Sequence, residues 1–395
     1  MLNILTFTTL YPNAAQPVHG IFVENRLRQL VATKKATVAV VAPVPWFPFR
    51  SALFGRYAAY ASAPDQEVRH GIVVHHPRYP VIPKIGMNVA PRLLYLGTQA
   101  LVARELESGR GCDVIDAHYL YPDGVTAAML AAKLGLPFVM TARGSDVNII
   151  PHYPIARRQI AWALSRAAAL ITVSQDLKTG LARLGAPEDK ITVLRNGVDL
   201  DLFQPRPRDG ARMRLRLHRR TLLSVGNLVP LKGHDLTIKA VATIPDVDLL
   251  IVGTGPERGK LVALVHQLGI AGRVRFLGQV QHDLLPEIYS AADALVHASS
   301  HEGWPNVLLE ANACGTPVVA TDVGSAREII NNPGSGILTA RRSVDAIASA
   351  IRAILAHLPS RDATRHHALQ FSWGNTSEGQ LHLFSSIAEH RRRAH

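Results

Sequence analysis

Short runs of apolar residues alternate along the chain with longer stretches in which apolar residues recur every three or four positions. The short runs predict strands, and the longer stretches predict amphipathic helices. Strands that alternate with helices are typical of parallel sheets covered by helices on both faces, so we predict an α/β fold. The first series of predicted strands comprises residues 2–8, 36–42, 72–75, 113–117, 137–141, 170–173 and 191–194. The second series comprises residues 221–225, 248–252, 273–277, 294–298 and 317–320.

A segment rich in proline and glycine, residues 203–210, separates the two series and predicts a linker. A chain of 395 residues is also too long for one compact core. We therefore predict an N-terminal domain over residues 1–200 and a C-terminal domain over residues 201–375. Leu381, Phe384 and Ile387 repeat at helical spacing, which predicts a closing helix over residues 376–395. We assign this helix to the N-terminal domain.

The composition indicates in which cellular compartment the protein works and which kinds of partner it binds. Cys112 and Cys314 both lie among apolar or small residues, which argues against a disulfide framework and favours the cytoplasm. The first residues lack a basic segment and read as a buried strand, and charged residues interrupt every long apolar stretch short of a membrane span. The net charge of +13 favours anionic partners, such as phosphates, nucleic acid or an acidic bilayer surface, and does not choose among them.

Polar and glycine residues follow the predicted strands, at the edge where open parallel sheets bind ligands. They are His118, Arg143, Asp146 and Asn196 in the first series and Asn227, Lys232, Gly253, Gly255 and Glu302 in the second. Two sheets whose ligand-binding edges face each other would form a cleft that suits a transfer between two substrates.

The segment 299–320 carries the most specific pattern. Pro305 suits the first turn of a helix and Gly315 its end, with a strand directly afterwards. Backbone amides at such a helix N-terminus can hold a diphosphate. Glu302 and Glu310 bracket it, and they would lie about 12 Å apart if the segment is mostly helical. One carboxylate could then serve each end of a nucleotide sugar.

Two glutamates at this spacing, with Gly303 and Pro305 after the first and Ala-x-Ala-Cys-Gly-x-Pro-Val-Val-Ala after the second, resemble the motif of glycosyltransferase family 4. Further stretches similar to that family occur in the expected order at residues 196–199, 226–233, 252–256 and 371–373. The resemblance implies the GT-B fold, with two Rossmann-like domains that face each other across a cleft. It also implies retention of anomeric configuration. Within the family, the chain resembles bacterial cell-envelope, teichuronic-acid and exopolysaccharide-type enzymes.

The resemblance implies roles for individual residues. Lys232 should neutralise the donor diphosphate, Glu310 should bind the ribose, Glu302 should contact the transferred sugar, and His118 should lie beside the reacting centre. We thus expect His118, Lys232 and Glu302 to be catalytic. Arg143, Asp146 and Asn196 are expected on the acceptor side. The expected donor-binding residues are Gly20, Asn227, Lys232, Gly253, Gly255, Glu302, Gly303, Trp304, Pro305, Asn306, Val307 and Glu310.

The chain departs from the family pattern at two positions. Asn227 stands where most members have an arginine that shares the diphosphate with the lysine, so Arg143, Arg195 or Arg327 would have to compensate. Arg143 itself occupies the position of a common histidine. Gly20 matches a loop in which most members carry two glycines.

We expect a retaining glycosyltransferase that moves a hexose-type sugar from a nucleotide diphosphate donor to a glycan or lipid-linked acceptor in polysaccharide or cell-envelope synthesis. Lys232 and a helix N-terminus can balance the leaving diphosphate, so we expect no metal and no other cofactor. A catalytically silent sugar-nucleotide-binding protein and a GT-B nucleotide-sugar epimerase are the alternatives. Gly253 and Gly255 could suggest dinucleotide binding, but the next glycine comes one place late.

Two basic stretches raise the question of macromolecular partners. Seven arginines between residues 206 and 220 lack interleaved aromatic residues, so we interpret them as solvated and expect no nucleic acid. Residues 44–104 combine seven basic residues with an aromatic run that includes Trp46, Phe49 and Phe54. Such a mixture suits the surface of an anionic membrane, which would place the protein peripherally on the inner face of the cytoplasmic membrane. A buried lid over the acceptor pocket would explain the aromatic residues equally well.

Overall fold

The computed structural model describes residues 1–82, 86–107 and 111–394, without the side chains of residues 52, 56 and 394. The chain forms two compact units. Unit 1 comprises Met1–Asn196 and Trp373–His395, and unit 2 comprises Gly197–Ser372. The chain thus leaves unit 1 shortly before the boundary predicted at residue 200, and the last helix begins at Trp373 rather than at residue 376. Lys84, one of the basic residues counted in the segment 44–104, lies outside the described residues.

The described part of unit 1 contains an eight-stranded sheet and a separate pair of short parallel strands, β3 and β6. Its strands are β1 (Leu2–Phe7), β2 (Ala36–Val41), β3 (Val44–Pro45), β4 (Gln66–Arg69), β5 (Ile72–His75), β6 (Arg78–Tyr79), β7 (Val114–His118), β8 (Phe138–Ala142), β9 (Ala169–Thr172) and β10 (Ile191–Val193). The order across the large sheet is β10-β9-β8-β7-β1-β2-β5-β4. Because β1 lies between β2 and β7, the strand order reverses there, and the loops after β1 and β7 leave the same edge.

The strands form where the sequence places apolar, largely β-branched residues without interruption, since a parallel sheet is buried on both faces. β7 and β8 are buried along their whole length and pair in parallel, with His118 opposite Thr141. The edge strand β4 runs antiparallel to β5. His70 and Gly71 join them with φ angles of 50° and 79°, as a two-residue hairpin turn requires.

Helices cover this sheet, and the last of them comes from the C-terminal end of the chain. The helices of unit 1 are α1 (Ile21–Ala32), α2 (Arg56–Ser62), α3 (Ala90–Glu107), α4 (Val125–Leu134), α5 (Ser145–Asn148), α6 (Pro154–Arg166), α7 (Gln175–Arg183) and, at the end of the chain, α16 (Trp373–Ala394). Helix α16 buries Leu381, Phe384 and Ala388 in one cluster with Leu2 and Val114 of the central strands. The helical spacing of these apolar residues is therefore explained by burial against the sheet.

Unit 2 contains a six-stranded parallel sheet in its described part. Its strands are β11 (Arg220–Val225), β12 (Val247–Val252), β13 (Val274–Gly278), β14 (Ala294–His297), β15 (Val318–Thr321) and β16 (Gly336–Thr339), in the order β13-β12-β11-β14-β15-β16. Its helices are α8 (Arg208–Arg214), α9 (His234–Ala242), α10 (Arg258–Gln267), α11 (Leu285–Ala291), α12 (Asn306–Ala313), α13 (Ala326–Ile329), α14 (Val344–Ala356) and α15 (Arg361–Leu369). Strand order reverses between β11 and β14, so the loops after these two strands lie side by side.

The arginine-rich start of unit 2 is not simply solvated, which corrects the interpretation made from its sequence. Asp293 Oδ1 accepts from Arg208 at 2.6 Å, and its Oδ2 accepts from the backbone amide of Thr221 at 2.7 Å and from Arg212 at 3.5 Å. Arg214 pairs with Glu287 at 2.6 Å. These contacts hold α8 against the end of the sheet where β11 begins.

Candidate functional site

The candidate donor site in unit 2 is built from the loops after β11 and β14. Lys232 ends a short 3-10 turn, Pro230–Lys232, after β11. His297 is the last residue of β14, and Glu302 follows it in an irregular loop. Because β11 and β14 are neighbours in the sheet, residues far apart in sequence meet at one sheet edge. The structure thereby brings together Lys232 and Glu302, both predicted from the sequence.

Glu302 is the anionic centre of this group. Its Oε1 lies 2.6 Å from Lys232 Nζ and 2.8 Å from His297 Nε2. Burial acts to raise the pKa of Glu302, but His297 and Lys232 outweigh burial and hold it well below its ordinary value. Glu302 is therefore ionised at neutral pH and already holds the lysine charge in place. His297 was not among the predicted site residues, because its pairing with Glu302 has no local signal in the sequence.

The segment between the two glutamates is irregular as far as Pro305 and helical from Asn306 onward. Helix α12 begins at Asn306, and Pro305, with ψ at 88°, lies just before it rather than in its first turn. Gly303 is fixed through its carbonyl, which accepts from Ser325 Oγ at 2.7 Å. The Trp304 side chain is buried against Phe371, with ring centroids 6.2 Å apart.

Helix α12 places two of the predicted donor-binding groups. The amides of Asn306 and Val307 lie at its N-terminus, where the helix carries partial positive charge. Glu310 lies one turn further, where its Oε2 accepts from the Tyr289 hydroxyl at 2.9 Å and its Oε1 lies 3.5 Å from His282. Burial, together with Glu310, raises the pKa of Tyr289 well above its ordinary value, so the phenol stays a donor. Tyr289 and His282 were not predicted.

Close packing between two loops requires glycine at positions 253 and 255, and the sequence did not reveal this requirement. Gly253 has φ at +135°, and a Cβ there would meet the carbonyl oxygen of Gly226 at 1.9 Å. A Cβ on Gly255 would meet the carbonyl oxygen of Leu228 at 2.4 Å. The loop after β12 therefore lies directly on the loop after β11 that carries Asn227 and leads to Lys232. Glycine at both positions sets the distance between these loops.

The side chain that replaces the expected arginine is exposed, and one proposed substitute is already engaged. Asn227 lies at the surface of unit 2. Arg327 makes a two-pronged contact with Asp322, at 3.0 Å from Nε and 2.7 Å from Nη2. Its charge on α13 is thus matched by a carboxylate of the preceding loop. Arg143 lies in unit 1, and Arg195 is the penultimate residue before the chain enters unit 2.

In unit 1, His118 joins two charged side chains at the end of β7. Its Nε2 lies 3.0 Å from Asp116 Oδ2, and its Nδ1 contacts an Arg143 guanidinium nitrogen. Burial, which outweighs the attraction of Asp116, lowers the pKa of His118 to about 4. The imidazole is therefore neutral at physiological pH. Arg143 also stacks on the ring of Phe22, with its guanidinium carbon 5.3 Å from the centroid.

The three residues expected on the acceptor side have different surroundings. Arg143 Nη1 donates to Asn196 Oδ1 at 3.0 Å, so these two lie together. The carboxylate of Asp146 instead accepts hydrogen bonds from the backbone amides of Leu120, Arg143 and Gly144, at 2.9, 3.0 and 2.7 Å. Its side chain is buried and fixes the loop after β8. The structure thus places Asp146 as a support for Arg143 rather than as a group that faces a ligand.

In the loop after β1, Gly20 packs against the backbone of Leu10. Gly20 has φ at +69°, and a Cβ there would lie 2.3 Å from the carbonyl group of Leu10. Nearby, Asp123 accepts from the amide and hydroxyl of Thr9 at 2.7 and 3.0 Å. Burial raises the pKa of Asp123 to about 7 although these hydrogen bonds act to lower it. Asp123 is a buried titratable group that sequence reasoning did not single out.

Aromatic residues of the segment 44–104 form a cluster on the surface of unit 1. Phe49 and Phe54 stack with centroids 5.3 Å apart, and Phe47 packs against Phe54 at the same distance. Trp46, Phe49 and Leu53 are 59%, 56% and 93% exposed.

No helix among the described residues is both long and apolar enough to cross a bilayer. Within the same residues, no three His, Cys, Asp or Glu side chains are grouped so that they could hold a metal ion.

Comparison with known sequences gives two family matches that together cover most of the chain. A profile described as "Glycosyltransferase Family 4" matches residues 21–202, and one described as "Glycosyl transferases group 1" matches residues 207–370. A protein of Bacillus subtilis that bears the name teichuronic acid biosynthesis glycosyltransferase TuaC is 30% identical over 360 residues, which cover 89% of this chain and 88% of that one. A D-inositol 3-phosphate glycosyltransferase of Geodermatophilus obscurus is 32% identical over 363 residues, covering 85% and 80%.

Solved structures with a similar fold match over almost the whole length. Sucrose-phosphate synthase from Thermosynechococcus elongatus superposes with a TM-score of 0.75 at 22% identity, covering 100% of this chain and 98% of that chain. HepE from Anabaena, solved in complex with UDP-glucose, gives a TM-score of 0.74 at 22% identity, covering 98% of this chain and 100% of that chain. At this level of identity the two structures speak for the fold alone.

Proposed function

Because the chain belongs to glycosyltransferase family 4 and has the GT-B fold that its sequence predicts, we propose that it transfers a hexose from a uridine diphosphate sugar with retention of configuration. The acceptor is a glycan or a lipid-linked glycan of cell-envelope polysaccharide synthesis. The choice of uridine follows the UDP-glucose complex of HepE, and the choice of pathway follows the name of the Bacillus subtilis relative.

The observation that carries the proposal is the cluster of Lys232, Glu302 and His297 beside the N-terminus of α12. Cleavage of the sugar–phosphate bond leaves a diphosphate, and groups of positive charge fixed in advance lower the barrier to its departure. Lys232 and the α12 amides supply that charge in our proposal. Glu302 then contacts the sugar as Lys232 turns to the diphosphate, and Glu310 accepts hydrogen bonds from the ribose.

Retention follows in this proposal from attack by the acceptor hydroxyl on the face from which the diphosphate leaves. A phosphate oxygen of the leaving group takes the proton of that hydroxyl, so no protein nucleophile is required. Lys232 and the helix terminus also take the place of a divalent cation. We therefore expect turnover to continue in EDTA, and a loss that Mg²⁺ restores would contradict this part of the proposal.

The exposed aromatic cluster supports the further proposal that the enzyme works on the inner face of the cytoplasmic membrane. Trp46, Phe49 and Phe54 would enter the interface between headgroups and acyl chains, and the net charge of +13 would favour anionic lipid. Flotation with vesicles of phosphatidylglycerol tests this. Phe49→Ser with Phe54→Ser should reduce binding, whereas Met213→Ser, an exposed apolar residue of unit 2, should not. Equal binding of both variants would refute membrane contact through this cluster.

A thermal-shift screen tests the donor assignment. UDP and UDP-hexoses should raise the melting temperature in a concentration-dependent manner, because a ligand that binds only the native state stabilises it. ADP- and GDP-sugars serve as the comparison. Hydrolysis of the stabilising sugar nucleotide, measured without acceptor, then separates an enzyme from a silent binding protein. Stabilisation without any hydrolysis would favour the silent protein.

A further inference from the structure

A closed ring of hydrogen bonds lies in the interior of unit 1 and extends beyond His118. Arg26 of α1 donates from Nε to Gln380 Oε1 at 3.1 Å, and Gln380 Nε2 donates to Asp116 Oδ2 at 3.2 Å. Asp116 continues to His118, and His118 to Arg143. The ring closes at Asn196, whose Oδ1 accepts from Arg143 at 3.0 Å and from Arg26 at 3.4 Å.

The chemistry of the ring fixes the state of each bridging group. A guanidinium can only donate hydrogen bonds, and an ionised carboxylate can only accept them. Gln380 lies between one of each, so its carbonyl must face Arg26 and its amino group must face Asp116. An ionised glutamate could not donate to Asp116, and a hydrophobic residue of the same size could neither donate nor accept.

The two neighbours of His118 likewise fix its tautomer. Asp116 requires a donor at Nε2, and Arg143 requires an acceptor at Nδ1. A neutral imidazole with its proton on Nε2 is the state that satisfies both neighbours. Both ring nitrogens are then engaged, and the side chain of His118 is fully buried.

We propose that Gln380 is a positioning residue, which holds Asp116 so that His118 stays the Nε2–H tautomer and its bare Nδ1 orients Arg143. Arg143 is the part-buried member of the ring, and its Nε is buried with no hydrogen-bond partner among the described residues. The group that this arrangement offers to a substrate is therefore the Arg143 guanidinium rather than the imidazole of His118. The last helix of the chain thus takes part in building the site at the end of β7.

NMR of the full chain with ¹⁵N-labelled histidine tests the proposal, since two-bond ¹⁵N–¹H correlations distinguish the tautomers. The signal of His118 is identified among the 18 histidines by its absence in His118→Asn. In the wild type it should show a single Nε2–H tautomer that does not titrate between about pH 8 and 5.5, because the charged groups facing it are Asp116, Arg143 and Arg26 and burial opposes protonation.

Two variants of similar size change the ring without a large change in volume. Gln380→Met removes both hydrogen bonds, and the His118 signal should become a mixture of tautomers. Gln380→Glu places a second carboxylate beside Asp116, and the signal should titrate within that pH range. Glu378→Gln, at an exposed position of the same helix, should leave the spectrum unchanged.

The proposal is overturned if His118 keeps a single, non-titrating Nε2–H tautomer in both Gln380 variants, because Gln380 would then only fill space. A wild-type spectrum with the proton on Nδ1 would overturn it as well. If Gln380→Met fails to fold, Gln380→Glu decides alone. The measurement reads the protein without donor or acceptor, so failure of the proposed reaction would leave its result intact.

Discussion

At the residue scale, Lys232 makes the contact with the most direct consequence for the reaction. Its charge is matched by Glu302 at 2.6 Å while Glu302 is also held by His297. A donor diphosphate would have to compete for the lysine, and Glu302 would then be left with His297 and free to contact the sugar. The pair thus keeps a buried carboxylate and a cation in position before substrate binds.

Lys232→Ala should lower the rate of donor turnover by ~10²–10³, since it removes one preorganised positive group from the leaving diphosphate. The fold should persist because His297 still pairs with Glu302. Lys239→Ala is the matched control, as Lys239 is a half-buried lysine of α9 that pairs with Asp235. Near-normal turnover of the Lys232 variant would remove Lys232 from the reaction.

His234 gives a prediction for stability against pH. It is buried at the start of α9, its Nδ1 lies 3.0 Å from Ser224 Oγ, and burial lowers its pKa to about 4. An unfolded histidine titrates near 6.5, so the unfolded chain binds more protons between these values and stability falls as pH drops from 6.5 towards 4. His234 alone contributes a slope of about 1.4 kcal/mol per pH unit.

Urea titrations at pH 7 and pH 5 measure this effect. His234→Gln should reduce the loss of unfolding free energy between the two values. The pKa of His118 is shifted in the same direction, so His118 still causes part of the loss of stability in acid. Asp123, whose pKa is raised to about 7, acts in the opposite direction and stabilises the folded protein as pH falls. An unchanged acid loss in the variant would mean that His234 titrates normally in the folded protein.

At the scale of elements, the loops after β11 and β12 depend on glycine. Gly253→Ala would combine a φ of +135° with a Cβ placed 1.9 Å from a carbonyl oxygen. Backbone strain of this kind costs ~1–3 kcal/mol, and the clash adds to it. We expect a clearly lower urea midpoint and weaker nucleotide binding. Gly272→Ala, where a Cβ meets nothing within 4 Å, should have neither effect; equal stability of the two variants would refute the loop packing.

The strands were predictable because burial on both faces requires continuous apolar runs, and every strand in the two predicted series lies within one residue of its prediction. The prediction missed β4 and β16, and also β3 and β6, which have two residues each. Strand β4 is a polar edge strand, Gln66–Arg69, whose pairing depends on the His70-Gly71 turn. The prediction for α12 was wrong in its start, because Pro305 and the tether from Ser325 to Gly303 keep the preceding loop irregular.

At the scale of the whole molecule, the sequence predicted which loops form the candidate site better than which side chains meet there. Lys232, Glu302 and Glu310 could be named because their motifs are local. His297, Tyr289 and Gln380 could not, since each meets its partner through the fold. Gln380 and Asp116 lie 264 positions apart in the chain yet share a hydrogen bond in unit 1.

The proton resonances of the released sugar test the central claim, a retaining glycosyl transfer at the Lys232 site, most directly. With the α-linked UDP-hexose that the screen selects and no acceptor, slow hydrolysis is followed by ¹H NMR within the first minutes, before the free sugar equilibrates between anomers. We expect the α anomer to appear first in the wild type and Lys232→Ala to release it at least ~10²-fold more slowly. First appearance of the β anomer, or equal rates in the two proteins, would contradict the central claim.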